Sequence, residues 1–93
     1  MAVISVSALE KEHGWECRVT VTDGNSHTVH TVTVETSYRD KLVGPQVPVE
    51  RFVEKSFEFL LAREPKESIL RAFDLPVIGR YFPEYEQQIG FQM

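Results

Sequence analysis

The chain has 93 residues, 42% apolar and 26% charged, with ten Lys and Arg against fourteen Asp and Glu for a formal net charge of -4. That length suits one domain around one core, and an acidic balance without a basic cluster speaks against nucleic acid, whose binding needs concentrated positive charge to displace counterions. The single cysteine, Cys17, excludes an internal disulfide and a thiolate-based zinc site. A reducing, cytoplasmic setting is the expectation, and with no apolar run of roughly 18 residues, no membrane partner is expected.

The first expected element is a strand in which Ile4, Val6 and Ala8 alternate with Ser5 and Ser7. Lys11-Glu12-His13-Gly14 turns the chain. Trp15, Cys17, Val19 and Val21 then share one face and Glu16, Arg18, Thr20 and Thr22 the other, the pattern of a sheet with one wet side. Asp23-Gly24-Asn25 is a second turn signal, followed by Thr28, His30, Val32 and Val34 alternating with Val29, Thr31, Thr33 and Glu35. Closing both loops pairs Val21 with Thr28, Val19 with His30, Cys17 with Val32 and Trp15 with Val34. It also pairs Ala8 with Cys17, Val6 with Val19 and Ile4 with Val21. Every apolar face falls on one side, as register requires.

The alternation stops between Thr36 and Val47, where Gly44-Pro45 and Pro48 mark a connection expected to cross an edge of the sheet. Val49, Phe52, Val53, Ser56, Phe57, Leu60 and Leu61 then recur at helical spacing, predicting a helix over residues 48 to 63 that covers the sheet, with Pro48 in its first turn. Phe59 alone falls off this stripe. Pro65 can open a short helix from Lys66 to Phe73, and Asp74 can cap another with Leu75 and Pro76 in its first turn. Leu75, Ile78, Phe82, Tyr85 and Ile89 make a narrow stripe in this last segment, where Pro83 either starts a separate turn or kinks the helix near Gly79. The reading is one α+β domain over 1–93: a three-stranded antiparallel β-meander covered by one amphipathic helix, then one or two short C-terminal helices.

No catalytic signature emerges, and no catalytic residue, cofactor or metal ligand is assigned. Cys17 and His30 come near a thiolate-imidazolium pair, but they are diagonal in this register and expected to be packed core side chains. His27 and His30 form an H-x-x-H whose spacing sends them to opposite faces of a strand, and His13 belongs to the other end of the sheet. The carboxylate pairs Glu50 with Glu54, Glu54 with Glu58, and Glu84 with Glu86 fall on solvated positions that would not raise a pKa for acid catalysis.

Three function classes remain. The leading one is a non-catalytic interaction module that self-associates or meets a protein partner through Leu75, Ile78, Arg80, Tyr81, Phe82 and Tyr85, a mixture of rings and Arg typical of interface centres. The second is a small-molecule binding domain with Trp15, His30, Tyr38 and Arg39 around a pocket between sheet and helices. The third is a small enzyme using Cys17 and His30.

Overall fold

The computed structural model describes residues 2–93. Strands β1 (Ala2–Lys11), β2 (Gly14–Asp23) and β3 (Ser26–Glu35) form the antiparallel meander, joined by two-residue turns at Glu12-His13 and Gly24-Asn25. Gly24 takes a φ of 63° at the first turn position, the geometry of a II′ hairpin turn. Gly14 begins β2 against the Val34 carbonyl, with no room for a Cβ. All seven cross-strand pairs expected from the sequence are present, so the apolar faces of the strands point the same way.

Helix α2 (Val49–Leu61) lies over this face, chiefly above β1, and buries Val49, Phe52, Val53, Ser56, Phe57, Phe59 and Leu60. Cys17, Val19, Val21 and Val32 are fully buried beneath it. Trp15 is half-buried, and Glu16, Arg18 and Thr22 face water on the other side. Phe59, off the stripe, turns sideways: its ring meets Tyr85 at 5.2 Å and Phe82 at 5.8 Å between centroids, so it joins α2 to the C-terminal segment.

Three expectations are corrected. The stretch after β3 is a helix, α1 (Thr36–Leu42), which packs on β2, β3 and the last helix; none of its residues is fully buried, so it left no apolar stripe to read. Lys66 to Phe73 is not a helix, because only Lys66–Ser68 makes a 3-10 turn before the chain extends into β4 (Ala72–Asp74). Strand β4 runs parallel to β3, giving a four-stranded sheet in the order β1-β2-β3-β4. Thr31 donates its N–H to the Arg71 carbonyl at 2.8 Å and Leu75 donates to Thr33 at 2.9 Å, bonds a helix there would forgo. Finally, Asp74 caps nothing: helix α3 (Val77–Tyr81) starts after Pro76 without a side-chain cap, and the Asp74 carboxylate accepts from the Thr33 hydroxyl.

Pro83 starts a separate turn, and α4 (Tyr85–Gln92) follows it. Arg63 fastens α4 to the end of α2, donating to the Phe59 carbonyl at 3.0 Å, Glu84 at 3.3 Å and Gln88 at 3.1 Å, with its guanidinium over the Phe59 ring.

Candidate functional site: an apolar cleft beside the aromatic segment

The four residues considered for ligand binding separate into two places. Trp15, Tyr38 and Arg39 meet at one end of the sheet, because α1 folds back from β3 toward β2. The Arg39 guanidinium lies 4.9 Å from the Trp15 ring centroid, and its Nη1 donates to the Val47 carbonyl at 3.0 Å while Nε pairs with Asp40 at 2.8 Å. The Tyr38 ring packs on Phe52, and its hydroxyl donates to Glu86 at 2.9 Å. Burial, then the nearby Tyr85 and Glu86, raise the Tyr38 phenol well above its ordinary pKa. These groups fasten α1 to its neighbours.

His30 lies toward the other end, fully buried against Phe57. Its Nδ1 sits 2.7 Å from the Leu70 carbonyl, which can only accept, so Nδ1 carries the proton and Nε2 accepts from the Thr28 hydroxyl at 2.8 Å. Burial, the largest effect, lowers its pKa. Cys17 stands opposite Val32 rather than His30. Its thiol is pushed up to about 11 by burial and by the charge of Glu50, which leaves it protonated near neutral pH. Among the described residues, no group of His, Cys, Asp and Glu is placed to hold a metal ion.

The aromatic segment divides between core and surface. Leu75, Ile78 and Tyr85 are buried in the chain's own core, Phe82 is half-buried, and Arg80 and Tyr81 face water. Where α2, β4 and α3 fail to close on one another, an open cleft of about 330 Å³ remains, walled by Leu60, Ile69, Leu70, Phe73, Tyr81 and Phe82. Tyr81 is 67% exposed and Leu70 47% exposed, so two large apolar side chains stand at its mouth. Glu64 and Ser68 are the polar groups in its lining. Sequence reasoning found Tyr81 and Phe82 but missed Leu70 and Phe73, because a helix had been expected where the chain is extended. Their wider context would have been the signal: Leu70 and Phe73 lie between a proline turn and Asp74, in a run too short for a stable helix of its own.

No protein-family model, curated protein or solved structure matches the chain. No helix among the described residues is long and apolar enough to cross a membrane.

Proposed function

We propose that this protein is a non-catalytic interaction module that self-associates through the surface made by its C-terminal aromatic segment. The observation that carries the reading is the open cleft with Tyr81 standing at its rim. A two-fold interface uses one patch on both copies, so it needs a projecting group and a recess side by side on the same surface. Tyr81 supplies the first and the cleft the second, while Arg80 beside Tyr81 and Glu64 within the cleft lining offer charges of opposite sign for the pairing. A reducing cytoplasm suits a module whose one thiol is buried and unoxidised.

Tyr81→Ala tests this directly. Light scattering after size exclusion is expected to show a concentration-dependent dimer in the wild type and a monomer in the variant. The melting temperature of the variant monomer should be nearly unchanged, since the side chain is mostly exposed. A wild type that stays monomeric at millimolar concentration overturns the proposal. The cleft volume favours one further reading for that case, since about 330 Å³ lies at the small end of ligand pockets. A saturable, cleft-confined NMR response to indole would then identify a small-molecule binding domain.

A further inference from the structure

Strand β1 is an outer strand of the sheet, ten residues long, and among the described residues no strand pairs with its outer edge. Which backbone groups lie on that edge follows from the turns. A two-residue hairpin closes on a pair that exchanges hydrogen bonds, here Lys11 with Gly14, and the bonded pairs then recur at every second residue. Leu9, Ser7, Ser5 and Val3 therefore bond to β2. The N–H and C=O groups of Ala2, Ile4, Val6, Ala8 and Glu10 point outward. The far side of the sheet agrees: Thr31 and Thr33 bond toward β4, so the even residues of β3 face β2 and the odd residues of β2 face β3, leaving its even residues for β1.

Natural edges of this length are blunted by proline, bulges or charge. From Ala2 to Leu9 this one has none of the three. The core-facing row Ala2, Ile4, Val6 and Ala8 is only half-buried, so its burial is incomplete on the open side.

Charge beside the edge comes from α2 and, at the Ala2 end, from Asp23, Glu64, Lys66 and Glu67. Phe52, Ser56 and Phe59 point toward Tyr38 and α4, and Glu58 and Leu61 on the opposite flank line a cleft of about 430 Å³ with Ala2 and Ile4. Glu50 and Glu54 lie on that flank with Glu58 at helical spacings of four. Only Glu58 of the three has an ion pair among the described residues, to Lys55 at 3.4 Å. Four residues of helix rise about 6 Å, and two residues of extended strand about 6.7 Å. A strand laid on the β1 edge would thus bring every second side chain past successive glutamates.

We infer that the β1 edge and the glutamate flank of α2 form a docking site for an extended segment of a partner protein that carries Lys or Arg at alternate positions. Backbone bonds supply the pairing and the glutamates select the charge, the division of labour in β-strand addition. A second copy fits poorly, because joining two β1 edges about a two-fold would set the glutamate rows of the two α2 helices against each other. This inference concerns a different surface from the aromatic cleft, and Tyr81→Ala protein keeps the two apart.

The test uses full-length, isotope-labelled Tyr81→Ala protein titrated with the acetylated, amidated peptide Lys-Thr-Lys-Thr-Lys-Thr-Lys. Saturable shifts and slowed exchange are expected at the amides of Ile4, Val6 and Ala8, with affinity falling as salt is raised. The same peptide N-methylated at alternate residues, and a Glu-Thr repeat of equal length, should not bind. Val6→Pro removes an outward N–H and should fold yet lose binding. Should it fail to fold, Glu54→Lys with Glu58→Lys carries the test, with at least a tenfold loss expected. Equal binding of the acidic or N-methylated peptide overturns the inference, as does unchanged affinity in the charge-reversed protein, or a dimer formed through β1.

Discussion

Tyr85 is fully buried and brings a hydroxyl into the core, where burial raises its pKa far above the ordinary phenol value. It stays because Ser56 meets it. The Ser56 hydroxyl has one hydrogen, which it donates to the Phe52 carbonyl at 2.8 Å, so across the 2.7 Å contact Tyr85 must be the donor and Ser56 Oγ the acceptor. The two deletions are therefore unequal. Ser56→Ala leaves a buried phenol O–H without an acceptor, and the expected loss is about 1–3 kcal/mol. Tyr85→Phe leaves Ser56 bonded to Phe52, and about 0.5–1.5 kcal/mol is expected. Urea unfolding of both variants checks the order; a larger loss for Tyr85→Phe would reverse the donor assignment.

At the scale of elements, legibility followed sequence distance. The meander and α2 were readable because each carries its own period of two or 3.6, and two short turns fix the register. Helix α1 and strand β4 were not, since neither is stabilised by its own sequence. Tyr38 and Arg39 hold α1 through partners on β2, α2 and α4, and β4 has three residues whose pairing lies across the fold. In the cleft, Tyr81 and Phe82 were legible as surplus aromatics. Leu70 was not, because its backbone is held by His30, and nothing near either residue in the sequence announces that bond.

His30 also makes the stability of the fold sensitive to pH, through its burial rather than through this bond, which favours the protonated ring. Burial lowers the pKa of His30 in the fold, whereas in the unfolded chain it titrates near the usual value of about 6.5. Below that value the unfolded chain takes up a proton that the native chain refuses. The contribution of His30 is thus complete above about pH 6.5 and is lost as the pH falls toward the depressed native pKa. Followed by NMR, its ring should titrate at lower pH in native protein than in urea. Native titration at or above the unfolded value would contradict the assignment.

Over the whole molecule, the sheet combines contacts of very different reach. Its two hairpins close over two residues each, while Thr33 and Asp74, side by side on β3 and β4, are 41 positions apart. Bringing distant segments together costs chain entropy that is recovered only when they pack, so this parallel pair should be the last part of the sheet to form. During synthesis the meander also leaves the ribosome before α2, so Cys17, Val19, Val21 and Val32 lack their cover until that helix follows. The hazard is therefore one of timing. In pulsed hydrogen exchange during refolding, amides of β2 and β3 that bond to each other should gain protection before Thr31 and Leu75, whose bonds join β3 to the chain around β4; simultaneous protection would mean that the fold closes in a single step.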